Sequence, residues 1–183
     1  MMKHKEQRVA VLIDVQNMYY SARNLFGARV NFGQLLEDAL SKRMLVRAIA
    51  YVIRTKTGEE KSFFEALTKI GIETKEKDLQ EFFGGAKKGD WDVGITIDAV
   101  KLSKKVDVIV LVSGDGDFCP LVEYLKNSGC FVEIVAFGET ASSKLIEISD
   151  DFINLSESQE KYLIKPKISG KSMIIRKGKK VLI

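Results

Sequence analysis

Runs of apolar residues recur along the chain and predict strands that are buried on both faces. Two of these runs, Val9–Ile13 and Val108–Val112, are continuous and rich in β-branched residues. The other predicted strands are Met44–Ile53, a short segment from Ile72 to Thr74, Phe131–Phe137 and an edge strand at Asp151–Leu155.

Segments with helical spacing of apolar residues lie between these runs. The predicted helices are Met18–Phe26, Asn31–Lys42, Glu60–Ile70, Asp92–Lys105, a segment from Phe118 to Leu125 and Ala141–Ile148. Strand and helix alternate about five times. This order predicts an α/β fold, with a mainly parallel sheet, right-handed crossovers and helices on both faces.

Length and composition are those of one globular domain. The chain has 183 residues, of which 45% are hydrophobic and 30% are charged. No apolar run reaches the roughly 20 residues of a membrane span. Residues 1–8 are polar and do not resemble a secretion signal. Cys119 and Cys130 lack the spacing of a zinc site, and free thiols fit the cytoplasmic location that we expect.

Histidine is nearly absent from the sequence, and this excludes several classes of enzyme. The single histidine is His4, in a terminal segment. Catalytic triads of the Ser-His-Asp type, Cys-His nucleophiles and histidine-rich metal centres are therefore excluded. Any hydrolytic chemistry has to use carboxylates and a metal ion.

Charge is distributed unevenly between the body of the protein and its C-terminal segment. Eight Lys or Arg residues and no acid follow Glu160, which leaves 21 basic and 25 acidic residues in 1–160, a net charge of −4. We divide the chain into an N-terminal tail (1–8), a domain (9–157) and a basic extension (158–183). The extension suits a polyanionic partner or serves solubility alone.

Acidic residues follow two of the predicted strands directly. Asp14 ends the first, and Ser113-Gly114-Asp115-Gly116-Asp117 follows Val108–Val112. The carboxyl ends of adjacent parallel strands share one edge, so we expect Asp14, Asp115 and Asp117 to converge there. The alternative for Ser113, Asp115 or Asp117 is a simple helix cap.

Two further acidic residues lie on the predicted Asp92–Lys105 helix. Asp92 falls in its first turn and can reach the same crevice. Asp98 lies near Ile95 on a largely apolar helix, where it needs a partner such as Lys101 or a place near the site. Asn17, at the predicted start of the first helix, is a candidate cap or a ligand-orienting group.

Several carboxylates in one crevice repel one another unless they bind a cation. Oxygen ligands without histidine or cysteine select Mg²⁺ or Mn²⁺. Such an ion activates water for attack on a phosphoryl group. The sequence therefore predicts metal-dependent hydrolysis of a phosphate ester.

Three segments together resemble the NYN domains of the LabA-like group, within the PIN-like nuclease superfamily. They are Ile13–Asn17, Lys88–Asp92 continuing to Asp98, and Ser113–Phe118. The resemblance implies a three-layer α/β/α sandwich and a divalent-metal ribonuclease. It also implies an acidic metal-binding and catalytic set and supporting polar residues at matching positions: Asp14, Asp92, Asp115 and Asp117, with Asn17, Asp98 and Ser113 in support.

Other functions remain as alternatives. The same acidic pocket suits an RNA-binding or assembly module with little or no turnover. A phosphatase of the haloacid-dehalogenase type needs an Asp-x-Asp pair after the first strand, but Gln16 occupies the second position. The glycine patterns of dinucleotide-binding and phosphate-binding loops are incomplete at 114–119 and 84–90.

RNA, single-stranded in our expectation, is the predicted partner. Lys87 and Lys88 are the candidate contacts to its backbone, against the alternative of a solvated turn. Tyr19, together with Tyr20, is a candidate for stacking on unpaired bases, against the alternative of a core residue. The apolar residues near the C-terminus suggest docking on another subunit, as in a homodimer or larger homo-oligomer.

Overall fold

Strands and helices alternate through the domain. The computed structural model describes residues 3–54, 60–78 and 90–165 with their side chains, and the backbone of residues 80–81 and 87–88. The strands are β1 (Arg8–Asp14), β2 (Arg29–Val30), β3 (Met44–Arg54), β4 (Glu73–Asp78), β5 (Gln80–Glu81), β6 (Lys87–Lys88), β7 (Val108–Val112), β8 (Phe131–Ala136), β9 (Asp151–Asn154) and β10 (Leu163–Ile164). The helices are α1 (Val15–Phe26), α2 (Phe32–Leu40), α3 (Lys61–Lys69), α4 (Asp92–Ser103), α5 (Cys119–Asn127), α6 (Ser143–Ile148) and α7 (Gln159–Tyr162), with 3₁₀ turns at Gly116–Phe118 and Leu155–Ser158.

Six strands form the central sheet, in the order β4-β3-β1-β7-β8-β9, and every neighbouring pair is parallel. β1 pairs with β3 on one side and with β7 on the other. The α/β sandwich with a parallel sheet that the sequence predicts is confirmed. β9 lies at an edge of this sheet, also as predicted.

The two central strands are buried because they have neighbours on both edges and helices on both faces. Val9–Ile13 are completely buried, and each residue of β7 is at most 1% exposed. This explains why these two segments are continuous apolar runs, without the alternation of a half-exposed strand.

The chain reverses its direction across the sheet between β1 and β7. From β1 the chain adds β3 and β4 on one side, and from β7 it adds β8 and β9 on the other. In an open parallel sheet, such a reversal leaves a crevice at the carboxyl ends of the two central strands. Asp14 ends β1 and Ser113 follows β7, so both lie beside this crevice.

The amino end of the sheet holds charged residues that are paired. The Arg43 guanidinium donates two hydrogen bonds to the Glu133 carboxylate, at 2.6 and 2.7 Å, and both side chains are fully buried. Arg43 also donates to the carbonyl groups of Ala39 and Leu40, which end α2. This pair therefore joins α2 to β8.

Residues 159–164, which the sequence analysis assigns to the basic extension, pack on the body of the protein. β10 pairs antiparallel with β2. Tyr162 is buried, and its hydroxyl donates to Asp38 of α2 at 2.5 Å. Lys161 contacts the same carboxylate at 2.6 Å. The apolar residues near the C-terminus, for which the sequence suggests docking on another subunit, lie outside the described residues.

Candidate metal centre

Two hydrogen bonds join the segment at the carboxyl end of β1 to the turn that follows β7, and one further bond orders each of the two segments. Asp14 accepts from the backbone N–H of Asn17 at 3.0 Å and from the Ser113 hydroxyl at 3.3 Å. The Ser113 oxygen also accepts from the N–H of Asp115, at 3.2 Å. The amide oxygen of Asn17 accepts from the N–H of Gly114, at 3.1 Å. The two strand ends therefore form one connected corner.

The start of α1 differs from the sequence prediction. The helix begins at Val15, three residues before the predicted start at Met18, because Asp14 is its N-cap. Asn17 therefore lies in the first turn of the helix, and its side chain binds the turn after β7. Asp and Asn are both common at the N-cap of a helix, so the sequence alone does not show whether Asp14 or Asn17 is the cap.

Glycine is needed in the acidic turn because the loop before α6 lies close to it. A Cβ atom on Gly114 would lie 2.9 Å from the Cα of Ala141, and one on Gly116 would lie 2.9 Å from the Ser142 hydroxyl oxygen. The N–H of Ser142 also donates to the Gly114 carbonyl, at 2.9 Å. The loop after β8 therefore fixes the position of this turn.

Asp115 and Asp117 project from the same turn with different exposure. Asp115 is half-buried and accepts from the N–H of Asp117 at 2.9 Å, so it caps the short 3₁₀ helix. Asp117 is exposed, whereas the neighbouring Phe118 is buried in the core. Capping uses one carboxylate oxygen of Asp115, and Asp115 has a second oxygen for a ligand.

Asp92 is brought to the site by the anchoring of Trp91. The Trp91 indole N–H donates to the carbonyl of Val52 in β3, at 2.9 Å, and its ring centroid lies 5.4 Å from that of Tyr51. These contacts fix the start of α4 against the sheet. Asp92, the first residue of α4, lies at the positive end of the helix dipole, which favours a carboxylate.

Three carboxylates form a cluster at this edge. One oxygen each from Asp92, Asp115 and Asp117 lies within 4.8 Å of the others. Asp14 lies beside this cluster, and burial raises the pKa of its carboxyl group, with further increases from the negative charges of Asp92 and Asp115. The hydrogen bonds from Asn17 and Ser113 partly offset this rise.

An open hollow of about 410 Å³ lies above the cluster. Three of the four predicted acidic residues, Asp14, Asp92 and Asp115, line it together. The rest of the lining is polar or aromatic and consists of Gln16, Asn17, Tyr20, Ser21, Asn24, Asp90, Trp91 and Thr140. These three residues therefore share one hollow, whereas Asp117 belongs to the carboxylate cluster but does not line the hollow.

The donor atoms suit a hard divalent cation. The cluster offers carboxylate oxygens alone, and the two cysteines are buried elsewhere in the fold. Oxygen ligands of this kind fit Mg²⁺ or Mn²⁺ rather than zinc or copper. Asp92, Asp115 and Asp117 are the residues that can hold such an ion, with Asp14 next to them.

Asp98 lies apart from the hollow. Its carboxylate accepts from the Tyr51 hydroxyl at 2.8 Å and from the Lys75 ammonium at 2.6 Å. Burial opposes its ionisation, but these hydrogen bonds outweigh burial and lower the pKa of Asp98. It therefore joins α4 to β3 and β4, and its main ion-pair partner is Lys75 rather than Lys101.

Of the residues predicted to contact RNA, the structure describes the side chain of Tyr19 but not those of the two lysines. Tyr19 is exposed outside the hollow, and its hydroxyl accepts from Arg23 at 2.7 Å. The backbone of Lys87 and Lys88 forms β6, which pairs with β5. The side chains of both lysines lie outside the described part of the chain, so their contact with RNA stays a prediction.

Gln16, Asn24 and Thr140 line the hollow but were not predicted as site residues, whereas Tyr20 was named only as a stacking candidate beside Tyr19. Gln16, Tyr20 and Asn24 follow one another at intervals of four residues on α1, a periodicity that places them on one side of the helix. Thr140 lies in the loop after β8, which is the next parallel strand beyond β7. The four-residue spacing from Gln16 could have identified the α1 residues. Thr140 could have been identified because it follows a parallel strand at the edge of the sheet where ligands bind.

A parallel α/β sandwich with carboxylates gathered at its carboxyl edge defines the general class, which is the fold of PIN-like nucleases. The sequence pattern of the NYN domain matches residues 8–157. The protein therefore belongs to the NYN domain family, and the resemblance seen in the sequence is confirmed.

Two relatives agree with this assignment. The chain is 26% identical over 165 residues to the Low amplitude and bright protein LabA of Synechococcus elongatus, covering 85% of this chain and 88% of LabA. A crystal structure of a protein of unknown function from Vibrio parahaemolyticus superposes with a TM-score of 0.80 at 33% identity. That match covers 90% of this chain and all of the other. Within the described residues, no helix is long and apolar enough to cross a membrane.

Proposed function

We propose that this protein is a divalent-metal-dependent ribonuclease that hydrolyses phosphodiester bonds in single-stranded RNA. The observation that carries the proposal is the cluster of Asp92, Asp115 and Asp117, whose oxygens lie within 4.8 Å of one another at the carboxyl edge of the sheet. Membership of the NYN domain family supports the same chemistry.

The acidic residues have separate tasks in this proposal. Asp92, Asp115 and Asp117 hold Mg²⁺ or Mn²⁺, and Asp14 adds negative charge beside them. Such an ion, when bound, polarises a phosphoryl oxygen and lowers the pKa of a bound water. Ser113 and Asn17 act indirectly, since their hydrogen bonds fix Asp14 and the turn that bears Asp115.

The hollow is suited to a polymer rather than to a deeply enclosed small molecule. It is open to solvent, and its lining combines carboxylates with neutral polar groups. A phosphatase of the haloacid-dehalogenase type would need an acid at position 16. Gln16 lines the hollow, but an amide does not supply the proton for a leaving group.

The test is cleavage of a labelled single-stranded RNA in Mg²⁺ or Mn²⁺. Asp115→Asn abolishes cleavage and leaves the protein folded, because the amide oxygen still accepts the Asp117 N–H. Glu65→Gln is the matched control, since Glu65 is an exposed carboxylate on α3, and it cleaves at the wild-type rate.

The outcomes separate the candidate functions. Equal cleavage by wild type and Asp115→Asn contradicts the proposed site. Hydrolysis of a small phosphomonoester without RNA cleavage favours the phosphatase. RNA binding without turnover by the wild type in either metal favours the binding module.

The basic segment after residue 165 is proposed to strengthen RNA binding. It carries six Lys or Arg residues and no acid. Since residues 159–164 pack on the domain, the informative truncation removes only residues 166–183. This truncation weakens RNA binding more at low salt than at high salt, because fewer counterions are released on binding. Unchanged affinity would assign the segment to solubility or oligomerisation.

A further inference from the structure

Five residues of α1 line the hollow, and three of them, Gln16, Tyr20 and Asn24, form what we call the α1 wall. They are spaced four residues apart, so they follow one side of the helix over about 12 Å. The acidic cluster lies on other elements, namely α4 and the turn after β7. The lining of the hollow therefore combines acidic residues with a neutral stretch of α1 that carries an aromatic ring.

The ring of Tyr20 is exposed to solvent and packs against the ring of Tyr19. Tyr20 is 52% exposed although it lines the hollow. Its ring centroid lies 5.4 Å from that of Tyr19 in an edge-on arrangement. Tyr19 is held in turn by Arg23, whose guanidinium lies 5.7 Å from the ring centroid and donates to the hydroxyl. The Tyr20 ring is thus a supported platform.

Charge decides which part of a nucleotide suits the α1 wall. A phosphate carries a full negative charge and is bound most strongly by cations, and none of the three residues of the wall is charged. The carboxylates that also line the hollow would repel a phosphate that no metal ion neutralises. A nucleobase is neutral, stacks on an aromatic ring and offers donors and acceptors on its edge. The wall therefore suits a base.

The two amides flank the ring on either side along the helix. Gln16 and Asn24 make no side-chain hydrogen bond within the part of the chain that the structure describes. An amide carries both donors and an acceptor, so it can pair with the edge of a base. Such an edge is accessible only when the base is not paired within a duplex.

We propose that the α1 wall is a base-binding subsite, where an unpaired RNA base stacks on Tyr20 and its edge is bound by Gln16 and Asn24. This rests on the proposed function, because the substrate is taken to be RNA. The subsite places a base beside the acidic cluster and thereby directs the neighbouring phosphodiester towards it. It also selects single-stranded RNA over a duplex.

The experiment measures the affinity of an eight-nucleotide oligoadenylate by fluorescence anisotropy and compares it with an RNA duplex of the same length. All proteins carry Asp115→Asn, so that the RNA stays intact. Tyr20→Ala weakens oligoadenylate binding about tenfold or more, whereas Tyr20→Phe retains it, because stacking needs the ring and not the hydroxyl. Gln16→Ala with Asn24→Ala weakens binding further.

Tyr124→Ala is the matched control. Tyr124 on α5 is 49% exposed and does not line the hollow, so its loss leaves the affinity unchanged. Duplex binding changes little in any of these variants. Circular dichroism checks that each variant is folded.

The outcomes distinguish this subsite from the nuclease proposal. If Tyr20→Ala binds oligoadenylate as tightly as its parent, the subsite is wrong even when the wild type cleaves RNA. An equal loss of duplex binding also overturns it. A selective loss of single-strand binding supports the subsite, whether or not the wild-type protein shows cleavage.

Discussion

Charged residues are paired at one end of the central sheet, whereas residues of the same charge are grouped at the other end. At the amino end, Arg43 and Glu133 are fully buried and form a two-point ion pair. At the carboxyl end, Asp14, Asp92 and Asp115 line one hollow, and Asp14 accepts its hydrogen bonds from neutral donors. The first arrangement neutralises buried charge, whereas the second accumulates charge of one sign.

This contrast separates charges that stabilise the fold from charges that form the candidate metal centre. A buried pair is satisfied within the fold and requires no ligand. A group of carboxylates raises the free energy of the folded protein until a cation binds, and such groups are typical of sites. The comparison makes a direct prediction: removing a carboxylate lowers stability at the amino end and not at the carboxyl end.

The largest effect on stability is expected for Glu133→Gln. The change leaves the buried guanidinium of Arg43 without its counter-charge, which costs about 3–5 kcal/mol of unfolding free energy. Urea denaturation measures the loss. Glu123→Gln, at an exposed carboxylate of α5, is the control and stays within about 0.5 kcal/mol of wild type.

The next effect concerns the metal ion itself. Mg²⁺ or Mn²⁺ at 100 times its dissociation constant stabilises the wild-type protein by about 2.7 kcal/mol, because the ion binds the folded state. Asp115→Asn removes most of this gain, and Glu65→Gln keeps it. Thermal unfolding with and without the metal provides the comparison. Equal stabilisation of all three proteins would place the ion elsewhere.

A smaller effect of opposite sign is expected for Asp14→Asn. Because burial and the neighbouring charges raise the pKa of Asp14, the folded state favours its protonated form. Stability is therefore lost as the pH rises through this raised pKa. At pH 7 in a chelator, the neutral asparagine removes this cost, and the unfolding temperature rises by a few degrees.

The pH dependence provides the check on that prediction. Well below the ordinary pKa of aspartate, the wild-type carboxyl group is also neutral, so the difference between the two proteins narrows. A destabilised Asp14→Asn at pH 7 without metal would contradict the contrast between the two ends of the sheet.

The smallest effect is expected at an exposed pair on the amino end. Arg8 donates two side-chain hydrogen bonds to Asp107, and these bonds, with one from the Arg8 backbone, lower the pKa of Asp107. The resulting stability is present above the ordinary pKa of aspartate and is lost as the pH falls through the lowered value. Asp107→Asn destabilises far less than Glu133→Gln, and 1 M salt reduces the difference. Thermal unfolding at two salt concentrations measures it.

Much of the fold could be predicted because a buried strand appears as a run of apolar residues that are neighbours in the sequence. The apolar runs at β1 and β7 predict two central strands, and the acids that follow them predict the shared edge. Gly71 directly follows the predicted Glu60–Ile70 helix, where a left-handed glycine is the typical end signal, and its φ is +84°. These inferences need only neighbouring residues.

Contacts between distant residues could not be read in the same way. Glu133 lies within an apolar run, and nothing near it in sequence indicates that Arg43, 90 positions away, neutralises it. The sequence indicates that Asp98 needs a partner, but it does not show that this partner is Lys75, which lies on β4, 23 residues away. Helical spacing identifies which residues of a helix face the core, but it does not show which strand or helix they contact.

The burial of Val9–Ile13 within β1 limits the local opening motions of the domain. The amides of this segment are paired with neighbouring strands and shielded on both faces, so we expect them to exchange with deuterium only when the whole domain unfolds. Asp14 terminates this slowest-exchanging segment, whereas the side chain of Asp117 is exposed. Any rearrangement of the acidic residues on ligand binding is therefore expected at Asp117, with Asp14 as the stationary reference.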